Sequence, residues 1–149
     1  MDQRLSGKVA VVTGAAQGLG EASAIRFAQA GATVAIVDIK AEKGEEVVAK
    51  IGAAGGQAKF FHCDLGKTEN IETSIKAIDA EFGQIDALYN NAGLSKAGTV
   101  ETLDEADWDL MFNINVKAKY IVSRYVVPIM RRGGKSGSII HQSSESGLT

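Results

Sequence analysis

The chain has 149 residues, the length of about one domain, and its 45% hydrophobic content can build a core without disulfides or metal. Lys plus Arg number 16 and Asp plus Glu 18, a formal charge of −2, so no broad basic field exists to hold nucleic acid or an anionic membrane. A single cysteine, Cys63, excludes an internal disulfide framework, and with only His62 and His141 as histidines no metal site is expected.

Along the chain two hydrophobic periods alternate. Val9-Ala10-Val11-Val12, bounded by Lys8 and Thr13-Gly14, predicts a short strand buried on both faces. Over 18–30 the period becomes helical, with Gly20, Ala24, Phe27 and Ala28 on one face and Arg26 and Gln29 on the other; Gly31 ends it. Residues 33–37 read as a second strand, 41–53 as a second helix with Val48 and Ile51 inward, and 58–63 as a third strand. A third helix is expected from Thr68, as its N-cap, stacking Ile71, Ile75, Ile78 and Phe82. Residues 85–89 give a fourth strand. A long helical stretch over 104–132 follows, expected to bend around 113–115, with Asp104, Glu105 and Asp107 suiting its N-terminus and Trp108 anchoring it in the core. Residues 138–142 form a fifth strand. Strands separated by helices of this length imply right-handed parallel crossovers, hence an open, doubly wound α/β sheet. The first five residues lack the apolar segment of a signal peptide, and no run of about 18 apolar residues occurs, so a soluble, cytoplasmic protein is expected.

In such sheets ligands bind beyond the carboxyl ends of the strands. There the first strand ends in Thr13-Gly14-Ala15-Ala16-Gln17-Gly18-Leu19-Gly20. Gly14 turns the chain, Gly18 leaves room where a Cβ would obstruct a diphosphate, and Gly20 permits close packing of helix on sheet. The helix N-terminus adds free N–H groups and partial positive charge. Glycines in such a turn can also be purely conformational, and no Gly-Lys-Ser/Thr follows, so this is not a P-loop. Asp38, 18 residues after Gly20 at the end of the second strand, can accept hydrogen bonds from both ribose hydroxyls; the plainer alternative is a solvated strand-end acid. Against a ribose phosphate it would act by repulsion, about 4 kcal/mol for unit charges ~4 Å apart at an effective dielectric of ~20. Neither Gln17 nor Ile39 supplies a cation, and Lys40 compensates only in part. NAD is therefore expected over NADP.

This glycine turn, with Asn90-Asn91-Ala92-Gly93 after the fourth strand, resembles the short-chain dehydrogenase/reductase family. Asp64-Leu65, Asn115 within Asn113-Ile114-Asn115-Val116, and Ser143-Ser144 match it further, in order, over nearly the whole chain. The resemblance implies a Rossmann-type sheet with strand order 3-2-1-4-5. Carried over residue by residue, Gly14, Gln17, Gly18, Leu19, Gly20, Asp38 and Ile39 would hold the adenosine and diphosphate side of NAD. Asp64 would accept from the adenine amino group beside the Leu65 backbone, and Asn91, Ala92 and Gly93 would run along the riboses and brace the sheet. Asn115 would hold a water in a proton relay, or satisfy loose backbone groups at the bend. Ser144 would hydrogen-bond the substrate oxygen, with Ser143 the alternative. Cys63 reads as a small buried hydrophobe and His141 as structural.

The family's Tyr-x-x-x-Lys pair is missing: none of Tyr89, Tyr120 and Tyr125 has a Lys four residues on. A general base is worth roughly 10²- to 10⁴-fold in rate, so these 149 residues are expected to be an NAD-binding portion, truncated after the fifth strand and inactive alone. The resemblance implies an NAD-dependent oxidoreductase acting on a secondary alcohol or ketone, a small-molecule substrate, and a homodimer or homotetramer. Of the residues that would line the substrate pocket, Leu94, Ser95, Lys96, Glu145 and Ser146 are present. Two alternatives stand beside it: a non-catalytic NAD-binding module, and an S-adenosylmethionine-dependent methyltransferase, against which the Asn90–Gly93 run and Ser143-Ser144 argue.

Overall fold

A computed structural model of the chain describes residues 3–134 and 136–144. Five strands, β1 (Val9–Thr13), β2 (Thr33–Asp38), β3 (Gln57–His62), β4 (Ala87–Asn90) and β5 (Ser138–His141), pair in parallel in the order β3-β2-β1-β4-β5. Between them run α1 (Gly18–Gln29), α2 (Ala41–Ala53), α3 (Thr68–Phe82), α4 (Glu105–Phe112) and α5 (Ala118–Met130). This is the expected Rossmann-type order, and the periodicity placed each strand and the first three helices within two residues of where they lie.

The central strand explains its own composition. All five residues of β1 are buried. Val11 points into one apolar layer with Ile71, Ile75 and Ile78 of α3 and Ile121, Val122 and Val126 of α5. Ala10 and Val12 point into the other with Ala24 and Ala28 of α1 and Val47 and Ile51 of α2. A strand covered on both sides has no polar face to display, which is why its sequence reads as an uninterrupted apolar run rather than an alternation. β3 and β5 lie at the two edges of the sheet, and β5 is largely exposed.

Several local expectations need correction. Thr68 is the first helical residue of α3, not its cap: Lys67 has extended backbone, takes the N–H groups of Asn70 and Ile71 on its carbonyl, and makes no side-chain cap. Val48 is half-buried and packs on the same layer as Ile51, as expected, but the fully buried partner of Ile51 one turn away is Val47. Trp108 does not anchor a helix in the core. It is 52% exposed, α4 buries no residue, and the indole stacks on Phe112 with ring centroids 4.8 Å apart. The Asp104 side chain caps α4 as its charge suggested, accepting from the Ala106 N–H at 2.8 Å.

The expected bend resolves into a wide turn. Residues Asn113–Lys117 adopt π-helical pairing, with the Ala118 N–H donating to the Asn113 carbonyl. Among the described residues no helix is long and apolar enough to cross a membrane.

Leu88 of β4 is fully buried, whereas Trp108 lies outside both apolar layers. Leu88→Ala is expected to lower unfolding free energy by about 2–5 kcal/mol, read as a fall in the urea midpoint at unchanged slope. Trp108→Ala is expected to change it by under about 1 kcal/mol.

Candidate functional site: the cleft at the carboxyl ends of β1, β2 and β4

The strand register aligns Thr13 with Val37 at the ends of β1 and β2, while Tyr89 and Asn90 end β4 on the other side. The chain leaves β1 through Gly14, whose φ of +64° is a left-handed conformation that an L side chain rarely adopts. The Gly14 N–H donates to the Val37 carbonyl at 2.8 Å, folding the turn back over β2. At Gly18 the backbone is again left-handed, and a Cβ there would meet nothing within 4 Å: the mouth of the turn opens to free space. Gln17 precedes α1 and makes no side-chain cap. The first-turn amides of Gly18, Leu19 and Gly20 are therefore the orphan donors of this helix, at the positive end of its dipole, and Gly18 borders the opening.

Gly20 is required for a different reason. A Cβ on it would lie 2.1 Å from the Gly14 carbonyl oxygen and 2.6 Å from Asn91 Nδ2. Asn91 itself binds the end of β4 to the turn: its Nδ2 donates to the carbonyls of Thr13 (3.0 Å) and Gly14 (3.2 Å). The N–H groups of Asn91 and Ala92 both donate to Thr13 Oγ1 at 3.1 Å. The Asn91–Gly93 segment thus lies directly beside the glycine turn.

Asp38 is buried at the end of β2, and each of its carboxylate oxygens accepts one main-chain N–H, Oδ2 from Ala16 and Oδ1 from Lys40, both at 3.0 Å. A carboxylate has about four acceptor positions, so two amides hold it in place without saturating it. Next to it Lys40 Nζ donates to Gln17 Oε1 at 2.8 Å, and Ile39 and Leu19 are exposed on the rim. Asp64 forms a local turn, accepting from the Gly66 N–H at 2.9 Å and pairing with Lys67 Nζ at 3.4 Å, while Leu65 packs on the core.

Beyond β4, Asn115 in the π turn grips the main chain of Leu94: Oδ1 accepts its N–H at 2.9 Å and Nδ2 donates to its carbonyl at 2.8 Å. Both ends of its side chain serve to fix the segment after Gly93 rather than to cap its own bend. Further on, Lys96 pairs with Asp107 of α4 at 3.3 Å. Ser143 and Ser144 follow β5 and are exposed; Glu145 and Ser146 lie outside the described residues.

Three features escaped the sequence. Asn113 Nδ2 donates to the Gly66 carbonyl, tying the π turn to the loop after β3. Lys119 donates its Nζ to the Gln142 carbonyl, and desolvation lowers the pKa of its ammonium; a lone Lys among the apolar residues of α5 was the available signal. Asn90, buried, turns its Nδ2 toward Ser123 Oγ and His141 Nδ1, both at 3.2 Å, so His141 is engaged structurally. Tyr89 hydroxyl donates to Gln142 Oε1 and Tyr125 hydroxyl to Glu72. Cys63 is buried, and burial pushes its thiol up to about 11. Among the described residues no group of three or more His, Cys, Asp or Glu is placed to hold a metal ion.

The family model for short chain dehydrogenases matches residues 8–149. An uncharacterized oxidoreductase of Thermotoga maritima is 42% identical over 142 residues, covering 95% of this chain and 55% of the relative. A D-threitol dehydrogenase of Mycolicibacterium smegmatis is 38% identical, covering 97% of this chain and 55% of the relative. A short-chain dehydrogenase/reductase crystal structure from Burkholderia xenovorans superposes with a TM-score of 0.94 at 35% identity, over 99% of this chain and 60% of its own. A metagenomic short-chain oxidoreductase in complex with NADP gives a TM-score of 0.86 at 37% identity, over 91% of this chain and 62% of its own. The chain thus spans little more than half the length of the curated relatives it matches.

Gly20→Ala forces a methyl group into the Gly14 carbonyl and the Asn91 amide, and is expected to destabilise the fold by roughly 1–3 kcal/mol or more, measured by urea denaturation. Cys63 is expected to resist alkylation at pH 8 in the native protein and to react promptly in urea, because a buried thiol with a raised pKa offers almost no thiolate.

Proposed function

The chain belongs to the short-chain dehydrogenase/reductase family, and from that premise we propose that it is the cofactor-holding part of an NAD-dependent oxidoreductase acting on a secondary alcohol or ketone. One observation carries this reading: the first turn of α1 has no side-chain cap and starts at Gly18, which borders open space, while the same glycine turn holds through Ala16 the carboxylate of Asp38, which has acceptor positions left over. Donors for a diphosphate and an acceptor pair for the adjoining sugar diol are what a nicotinamide dinucleotide needs at a strand-to-helix turn, so the residues present fit that cofactor. Family membership removes the methyltransferase alternative.

When bound, the dinucleotide supplies the hydride acceptor or donor. The protein's part is to place it. Asp38 takes the ribose hydroxyls and, by its charge, favours the unphosphorylated sugar. Asn91, Ala92 and Gly93, pinned to Thr13, form the floor along which the riboses lie, and Asp64 faces the adenine end. Ser144, leaving β5 next to β4, is assigned to hold the substrate oxygen, with Ser143 behind it. Asn115, in the π turn with its side chain on the Leu94 main chain, is assigned to the proton relay.

None of the tyrosines of this chain is assigned the proton-transfer role. Tyr89 is bonded to Gln142, Tyr125 to Glu72, and Tyr120 stands on the outer face of α5. Phe112, Val116 and Tyr120 leave a run of exposed apolar surface along the α4–α5 side, which supports the proposed homodimer or homotetramer of the whole protein.

Calorimetric titration of the chain with NAD tests the reading. Binding is expected in wild type, and Asp38→Ala, its fold checked by circular dichroism, is expected to weaken it roughly 10- to 100-fold, the loss of a charge-assisted hydrogen-bonded pair. Undetectable NAD binding by the folded wild-type chain would refute it.

A further inference from the structure

Among the described residues β5 pairs on one side only, with β4, and its ladder stops where the two candidate serines begin. The last rung is Gln142, whose N–H donates to the Asn90 carbonyl at 3.0 Å. Every other polar group of Gln142 is held as well. Its carbonyl accepts from Lys119 Nζ, its Oε1 accepts from the Tyr89 hydroxyl, and its Nε2 donates to the Ser143 carbonyl at 2.8 Å. The two holding side chains belong to opposite layers. Tyr89 packs with α1 and α2, braced edge to face by Phe27 with ring centroids 6.4 Å apart, whereas Lys119 stands on α5, which covers the other layer.

We propose that Gln142 is a positioning residue for Ser144, clamped by Lys119 and Tyr89 so that the chain leaving β5 takes one direction. This role rests on the assignment of Ser144 to the substrate oxygen. The end of an edge strand with few buried contacts is among the first places where a fold opens locally. Here the clamp acts against that opening, and it reaches forward. The Ser143 carbonyl that Gln142 Nε2 holds shares a planar peptide unit with the Ser144 N–H, so fixing that oxygen fixes the plane from which the Ser144 side chain departs. The Lys119 bond is charge-assisted, roughly twice as strong as a neutral one. Desolvation lowers the pKa of that ammonium, so the side chain gives up water to reach its carbonyl. Direction matters at this point because a misplacement of about 1 Å near reacting atoms can cost on the order of 100-fold in rate.

The test is nitrogen-15 relaxation of the chain, read as backbone order parameters in wild type, Lys119→Met, Gln142→Met and Tyr89→Phe. Wild type is expected to be rigid at Ser143 and Ser144, near about 0.85, and Lys119→Met and Gln142→Met to bring both below about 0.6. Val11 and Leu88, buried inside the sheet, are expected to stay near about 0.85 in every variant. Tyr89→Phe is expected to loosen Ser144 by itself and to add nothing in the Gln142→Met background, because it acts through that side chain. Serines that are mobile in wild type, or that stay rigid in Lys119→Met and Gln142→Met, overturn the clamp. So does a loss of order at Val11 and Leu88 in step with the serines, or an additive effect of Tyr89→Phe. Titration of the wild-type sample with NAD separates the two levels: no binding by the folded chain overturns the function on which the role of Ser144 rests. Binding together with serines that ignore the substitutions overturns the clamp alone.

Discussion

The glycine turn and the segment after β4 touch main chain to main chain, and the arrangement of the cleft follows from that contact. Gly20 has no room for a methyl group between the Gly14 carbonyl and the Asn91 amide, and a Cβ on Gly14 would lie 2.8 Å from Ala92 Cα. Only with the two backbones this close can Thr13 take the N–H groups of Asn91 and Ala92 on one hydroxyl. The result is a rigid shelf at the middle of the sheet. A helix whose first amides are uncapped borders it on one side, and a held carboxylate on the next strand borders it on the other.

Side-chain amides serve here as a second backbone. Past the ends of the strands the ladder of N–H and C=O partners runs out, and groups left buried there are expensive to leave unpaired. Asn91 serves the carbonyls of Thr13 and Gly14, Asn113 that of Gly66, and Asn115 both polar groups of Leu94. Asn90 joins β4 to α5 and to His141 on β5. An amide suits each position because it carries donor and acceptor on one planar group, like the peptide it replaces. A carboxylate of similar shape would bring only acceptors.

Much of the fold was legible because burial on two faces, or on one stripe, writes itself into the hydrophobic period. β1 and the Ile71-Ile75-Ile78 stripe of α3 are plain in the sequence for that reason. Trp108 is misread because size and apolarity say that a side chain gains from burial, not that a neighbour exists to bury it; α4 buries no residue among those described. The residues at the mouth of the turn were legible as types, since glycine and aspartate at those spacings have few other uses. Their partners were not. That Ala16 and Lys40 would hold Asp38, or that Lys40 would lean on Gln17, depends on loop geometry fixed only once β1 and β2 lie side by side. The π turn is hidden likewise, because nothing in Asn113–Lys117 distinguishes a five-residue step from a four-residue one.

That wide turn works as a gear in a continuous rod. One surplus residue rotates everything downstream by about 100° relative to what lies upstream. Upstream of it α4 buries no residue, while downstream α5 sets Ala118, Ile121, Val122, Val126 and Met130 into the interior. Were the surplus taken out, the rod could keep Asn115 on Leu94 or Ile121 inside, but not both. The same few residues that steer the loop beyond β4 also choose which flank of the following helix the sheet receives.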